Sequence, residues 1–337
     1  MLSQAEVLKQ SKGAMKQWEG TWRSHAKENG EIMRQKGMRN QRIYGHGIGR
    51  KALCIGYSPG LEYKIDDIKQ KNESVDILSI DKGMGYLLDH EIKPNFVYLA
   101  DAGIDYNKWC KPYIEQTKDI CLMMNVTANP EWARNWKGKI FYFVNQDNIR
   151  TEDIFSPISG CRELVKASSN VGNSILVHAS TYLLYDEYYL LGYDFCWGQD
   201  DNYYCDQDSD KRWYMNHNQL IDTNGELVCT SQNLLFSARW LSDFINGILV
   251  PQKRKIYKCY KGGLLNIAYR DIKKVLKDSV QRKLTEQEFN HIIQTRLVPI
   301  VVTAQEGEKK LQQVLKDNQV ASVVVQTLPP DIFREVA

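Results

Sequence analysis

Residues 52–103 read ALCIGYSPGLEYKIDDIKQKNESVDILSIDKGMGYLLDHEIKPNFVYLADAG, and this stretch decides the fold class. Residues 52–55 are a short apolar run, the mark of a strand buried on both faces. The turn Gly56, Tyr57, Ser58, Pro59 and Gly60 follows, and Leu61, Ile65 and Ile68 then recur at helical intervals. The same succession repeats: residues 75–80 predict a strand, 84–88 a short helix and 96–100 another strand. Strands alternating with helices predict an α/β fold with a mostly parallel sheet and helices on both faces.

The pattern extends outward in both directions. DICLMMNV (residues 119–126) and KIFYFVN (139–145) predict two further strands. In ASSNVGNSILVHASTYLLYDEYYLLGYDF, residues 171–184 predict a largely buried helix and 187–192 a strand. The polar stretch 196–218 is long for a loop inside a compact domain and suits a lid or substrate loop. Residues 230–249 predict a helix; residues 255–280 mix a strand, a Gly262–Gly263 turn and a basic helix. Upstream, Leu2, Val7, Leu8, Met15, Trp18 and Trp22 fall at roughly helical spacing and predict a helix clamped on the main body. The tail reads strand, helix, strand. The organisation expected is an N-terminal helical arm (1–48), a central domain (49–284) and a small C-terminal α/β unit (285–337).

The bulk numbers suit this plan. The chain has 337 residues, 43% of them hydrophobic, enough for at least one large core. A net charge of +3 does not by itself point to nucleic acid. Residues 9–51 are nonetheless rich in Lys and Arg, which suits a solvated helical face or an arm for a polyanion. The eight cysteines include no CxxC pair, and several sit in apolar runs. They read as buried free thiols in a reducing compartment rather than a disulfide or zinc framework. With no apolar run of signal-peptide or membrane-spanning type, the expected location is the cytoplasm.

Four features carry candidate chemistry. The turn after the first strand offers backbone N–H groups, Gly56 and Gly60 for close approach, and the Ser58 hydroxyl, all suited to phosphate. Acids end three strands: Asp81 (followed by Lys82), Asp101 and Asp194, placed to grip a ribose, a base or a metal. Ser168, Ser169, Asn170 and Gly172 mark a helix start that suits an anion. The loop acids Asp200, Asp201, Asp206, Asp208 and Asp210 have a spacing that suits Mg²⁺, although a solvated loop explains them more simply. Beyond that loop, His217 is a candidate general base. His178, in the middle of an apolar helix, reads as a core residue.

Taken in order, these segments resemble the Rossmann-like domain of the MptE-like 6-hydroxymethylpterin diphosphokinase family. That family is similar in layout to bacterial motility accessory factors and, more distantly, to a family of bacterial sialyltransferases. The resemblance rests on the turn Gly56-Tyr57-Ser58-Pro59-Gly60-Leu61 and on Ile92-Lys93-Pro94-Asn95 leading to a strand that ends in Asp101. It rests also on the helix leading to Leu191-Gly192-Tyr193-Asp194-Phe195, and on HNQLIDTNGELVCTS followed by ARWLSDFI. It runs from about residue 50 to about residue 250. One departure stands out: Gly60 replaces the usual serine and removes a phosphate-facing hydroxyl.

The function expected is nucleotide-dependent transfer, with a small-molecule nucleotide donor. In a glycosyltransferase using a nucleotide sugar, Gly56, Tyr57, Ser58, Pro59, Gly60, Asp81, Lys82, Ser168, Ser169, Asn170 and Gly172 would hold the nucleotide. His217, Asp194 and Asp101 would serve the chemistry, with electrostatic stabilisation of the departing nucleotide. A nucleic-acid acceptor would suit the basic arm. The resemblance implies an alternative, ATP- and Mg²⁺-dependent diphosphoryl transfer to a hydroxymethyl, pterin-like substrate, with Asp101 and Asp194 as metal ligands. The third reading is a non-catalytic nucleotide-binding module.

Overall fold

The computed structural model describes residues 4–38, 43–69, 74–146, 150–166, 170–197, 218–277 and 287. The expected C-terminal unit apart from residue 287, residues 198–217 with the loop acids and His217, and Ser168 and Ser169 lie outside the described residues.

The chain opens with α1 (Gln4–Lys36), which runs into a two-residue strand, β1 (Gly37–Met38). The strands that follow are β2 (Lys51–Ile55), β3 (Val75–Ile80), β4 (Phe96–Leu99), β5 (Cys121–Asn125), β6 (Ile140–Gln146), β7 (Leu164–Lys166) and β8 (Glu187–Leu191). A hairpin, β9 (Asn218–Ile221) with β10 (Leu227–Thr230), precedes β11 (Lys255–Lys258). Between them lie α2 (Ile65–Ile68), α3 (Asp81–Asp89), α4 (Tyr106–Trp109), α5 (Pro130–Asn135), α6 (Glu152–Ser159), α7 (Val171–His178), α8 (Gln232–Phe244) and α9 (Ile272–Lys277).

The main sheet is parallel throughout, in the order β1-β6-β5-β4-β3-β2-β8-β11, with β7 pairing the end of β6. Its strands are buried on both faces, which is why they read as unbroken apolar runs. Successive side chains face opposite layers. Ala52, Cys54, Leu78, Tyr98, Met123 and Phe141 pack under α7 and α8. Leu53, Ile55 and Ile77 face the other layer with Leu61, Ile65 and Ile68, while Val97, Leu122 and Tyr142 pack there toward α1, α5 and α6.

The N-terminal helix is built into that second layer. Asn29 Nδ2 donates to the Val126 and Ala128 carbonyls at 2.8 and 2.9 Å, and Trp22 meets Phe155 edge-on at 6.0 Å. Gly30 lets α1 cross α6 closely, since a Cβ there would lie 2.5 Å from the Ser159 carbonyl oxygen.

Three local expectations change. The segment after the first turn is a 3-10 helix, Pro59–Lys64, before the short α2, because Pro59 starts the helix right at the turn. The next helix begins at Asp81 rather than at residue 84, so that strand-end acid is also a first-turn helix residue. Thr230, where a helix was expected to begin, closes β10, and the helix α8 starts at Gln232.

Candidate active site at the carboxyl edge

From β2 the chain adds β3, β4, β5 and β6 in one direction, then places β8 on the other side of β2. The strand order reverses between β2 and β8. In open α/β sheets the crevice outside the carboxyl ends at such a reversal is the ligand site. The loops that carry the candidate residues leave β2, β3, β4, β8 and β11 at this edge.

The turn after β2 is bound to the end of β8. Gly56 N–H donates to the Leu191 carbonyl at 2.8 Å, and a Cβ on residue 56 would collide with the Gly192 carbonyl oxygen. Gly192 itself sits at φ +72°, where a side chain is strained. Gly56 is therefore fixed by the approach of two strand ends, rather than by the approach of a ligand as its position suggests. The Ser58 hydroxyl donates to the Gly192 carbonyl and accepts from the Asp194 N–H at 3.1 Å. Gly60 N–H donates to Asp194 Oδ2 at 2.8 Å. Two polar groups expected to face phosphate thus position Asp194.

Asp194 is buried at 6% exposure, and burial pushes its carboxyl up to about 6 against the Gly60 N–H and Lys258, with Asp222 adding to the rise. Lys258, at the end of β11, is a buried cation that sequence reading passed over. Its ammonium donates to Thr223 Oγ1 and to the Lys261 and Gly262 carbonyls, tying the β9–β10 hairpin to the sheet edge. Asp222 accepts from Asn224, Glu226 and Gly263 N–H groups, so it is a turn-forming residue.

On the other side of the β2 turn, Asp81 begins α3 and accepts from the Lys82 N–H at 2.7 Å. Burial pushes its carboxyl up to about 7; Lys82 opposes the shift and the Asp101 charge adds to it. Asp101 is exposed and holds the Gly103 N–H at 2.8 Å. Trp109, half-buried, lies beneath two ammonium groups, Lys82 at 5.6 Å and Lys108 at 4.7 Å from the ring centroid. Tyr57 is buried and meets Trp109 edge-on at 5.8 Å. Trp109 and Lys108 were not singled out in the sequence. Their signal is an isolated tryptophan in a polar run with a lysine on its N-terminal side.

The helix start after β7 also faces this edge, because a helix between parallel strands runs back from carboxyl to amino ends. Asn170 Oδ1 caps α7 by accepting from the Asn173 N–H at 2.9 Å. Gly172 makes room for Tyr193, whose hydroxyl donates to the Gly172 carbonyl at 3.1 Å. Both residues expected to bind an anion have structural work here.

Asp101 and Asp194 follow different strands of the sheet. Their strands, β4 and β8, are separated by β3 and β2, about 14 Å at the usual interstrand spacing. No group of three or more His, Cys, Asp or Glu side chains converges among the described residues. A Mg²⁺ carried by donor phosphates needs only one or two protein carboxylates. Asp81 and Asp101, on neighbouring strands and electrostatically coupled, fit that requirement.

His178 is a core residue, as its apolar setting suggests. Its Nδ1 lies 2.9 Å from the Tyr98 hydroxyl, and burial holds the imidazole down at about 3. The described cysteines are free, with Cys54, Cys110, Cys161, Cys196 and Cys259 buried. Among the described residues, no helix is long and apolar enough to cross a membrane.

The family model described as 6-hydroxymethylpterin diphosphokinase MptE-like matches residues 25–200, more than half of the chain. A search of curated proteins gives no match. Among solved structures, the MAf glycosyltransferase from Magnetospirillum magneticum AMB-1 is similar in fold, with a TM-score of 0.55 and 16% sequence identity. That match covers 81% of this chain and spans 41% of the length of the glycosyltransferase.

Proposed function

The chain belongs to the 6-hydroxymethylpterin diphosphokinase MptE-like family, and from that premise we propose that it is a transferase drawing on a nucleotide donor at the carboxyl edge of its sheet. We read the donor as a nucleotide sugar and the reaction as glycosyl transfer. The observation that carries this reading is the half-buried Trp109, flanked by the Lys82 and Lys108 ammonium groups and packed against Tyr57 of the β2 turn. An aromatic face with two cations suits a base or sugar joined to phosphates. Asp81 and Asp101 then take ribose hydroxyls. The acceptor oxygen attacks the anomeric carbon while the bond from that carbon to the phosphate oxygen breaks. His217 takes the acceptor proton, and the lysines balance the charge left on the nucleotide. Asp194 acts by holding the β2 turn in place.

The family's name favours a second reading, ATP-dependent diphosphoryl transfer. Here Asp81 and Asp101 would hold a Mg²⁺, which would supply positive charge against the donor phosphates.

Thermal shift against CMP, UDP, several of their sugar conjugates and ATP, each with Mg²⁺ or EDTA, separates the two. A ligand at about a hundred times its Kd adds roughly 2.7 kcal/mol to stability. Metal-independent stabilisation by a CMP or UDP compound, lost in Lys82→Ala and Trp109→Ala, is the expected result. Stabilisation by ATP only with Mg²⁺ selects the diphosphokinase reading. No shift with any nucleotide overturns both.

A further inference from the structure

The inner side of α1 packs on the core, with Trp22 against Phe155 and Asn29 on the exit of β5. Trp18 reaches the candidate site: a Cβ on Gly103, whose N–H Asp101 holds, would lie 2.9 Å from Trp18 Cη2. The outer side of the same helix is built differently. Lys12, Lys16, Arg23, Lys27 and Arg34 are all exposed. They follow one another at intervals of 4, 7, 4 and 7 residues. At 3.6 residues per turn, that spacing puts all of them within about 60° of arc, along about 33 Å of helix.

Little negative charge opposes this row. The acids between residues 12 and 36 are Glu19, Glu28 and Glu31. Glu19 is paired with Arg23 and Glu28 with Arg134, each at 2.7 Å. Lys12, Lys16, Lys27 and Arg34 have no carboxylate partner among the described residues. Lys12 with Lys16, and Arg23 with Lys27, are like-charge pairs one turn apart, which weaken a helix instead of supporting it. A merely solvated face does not require its cations in one line. Glycines border the row: a Cβ on Gly13 or Gly20 would have nothing within 4 Å. Glycine also weakens a helix interior, and no contact inside the protein calls for it at these two positions. Both leave space for a ligand to come close to the cations.

We infer that the outer face of α1 binds the phosphate backbone of a nucleic acid. A line of unpaired cations is what a polyanion with regularly spaced charges requires. The row is as long as about one turn of duplex. A helix that docks on a lipid surface needs an apolar face to insert. On α1 no large apolar side chain is exposed among the described residues, and Trp18, Trp22 and Ile32 face the body of the protein. This binding does not depend on the transferase reading.

The test is fluorescence anisotropy of the full chain with labelled oligonucleotides of mixed sequence, single- and double-stranded, across a series of salt concentrations. Vesicles containing phosphatidylserine and a sulfated glycan serve as competitors. Duplex binding is expected to fall with salt by about 0.9 logarithmic units per unit of log salt for each cation engaged, so by about 4 for the row. Lys16→Ala, Lys27→Ala and Arg34→Ala combined should weaken binding at least tenfold and remove about 2.7 from that slope. The three positions are exposed and alanine favours a helix, so the melting temperature should not fall. Lys118→Ala with Lys274→Ala, two exposed cations away from α1, should leave affinity unchanged. No oligonucleotide bound at low salt, undiminished binding by the triple variant, or an equal loss in the control pair each overturns the inference. Tighter binding of the vesicles or the sulfated glycan, compared at equal anionic charge, overturns it as well.

Discussion

Gly60 and Asp194 are in direct contact: the Gly60 N–H donates to Asp194 Oδ2 at 2.8 Å, and a Cβ on residue 60 would fall 2.7 Å from Oδ1 and 2.9 Å from Oδ2. Asp194 has little room to retreat, because its carbonyl accepts from the Leu264 N–H at 2.8 Å and its backbone lies against Gly263. Gly60→Ala should therefore destabilise the protein by about 1–3 kcal/mol, the usual cost of overpacking. Urea unfolding of the variant reads this directly. A neutral result would show that the Asp194 side chain swings aside freely, and the account of residue 60 would fail.

How much of this was legible in the sequence follows from burial. Strands β2 to β6 and β8 stand out because both their faces are covered, so each is a continuous apolar run. The turn at Gly56–Gly60 and the acids at Asp81, Asp101 and Asp194 could be placed at one edge for the same reason. What stayed hidden depends on partners remote in sequence. Ser58 and Gly60 look like phosphate ligands until β8 is brought alongside to claim them. Lys258 reads as an ordinary lysine in a polar strand, since nothing local shows that Thr223, Lys261 and Gly262 close around it. The β9–β10 hairpin has short strands with exposed faces, Ile221 at 65% and Leu227 at 63%, so it lacks clean alternation. The Asn224-Gly225 pair, with Gly225 at φ +85°, was the available signal for it.

Asp76 is fully buried at the start of β3 and is held by three partners. Its Oδ2 receives His46 Nε2 at 2.9 Å, Arg50 Nε at 2.8 Å and the Tyr185 hydroxyl at 2.7 Å, while Oδ1 receives Arg50 Nη2 at 2.5 Å. Burial alone would raise its carboxyl, but the His46 and Arg50 hydrogen bonds hold it well below the usual range. A depressed carboxylate contributes stability that is present above its unfolded value and lost only as pH falls through the folded one. Asp76→Asn removes the buried charge that Arg50 and His46 are paired with, so a loss of about 3–5 kcal/mol is expected at pH 7. Thermal or urea denaturation checks it; a loss under 1 kcal/mol (the ordinary range for an exposed pair) would mean the network is solvated.

His178 should make the protein acid-sensitive. Burial lowers its folded-state value from 6.5 to about 3, so between those limits the unfolded chain binds a proton that the folded one does not. Stability from the neutral imidazole is present above pH 6.5 and declines as pH falls toward 3. His178→Phe keeps an aromatic ring among Tyr98, Phe143 and Tyr182 and removes the titration. Its unfolding free energy should fall less than that of the wild type between pH 7.5 and 4.5, even though it loses the hydrogen bond to Tyr98. Parallel slopes for the two proteins would refute the assignment.

Asp81 has the opposite sign. Burial raises its carboxyl from 3.8 to about 7, with Asp101 adding to the rise, so folding favours the protonated form. The corresponding stability is complete below the unfolded value of 3.8 and is lost as pH rises through about 7. Asp81→Asn can keep the acceptor for the Lys82 N–H while removing the buried charge. The variant should match the wild type near pH 4 and exceed it in stability at pH 9, by an amount on the order of a few kcal/mol. If Asp81 also holds the donor's ribose or a Mg²⁺, the same substitution weakens nucleotide binding most at the pH where it stabilises the fold most. Those opposite trends in one variant mark a carboxyl kept at its strand end for function. Stabilisation at pH 9 with nucleotide affinity unchanged would confirm the titration and remove Asp81 from the binding site.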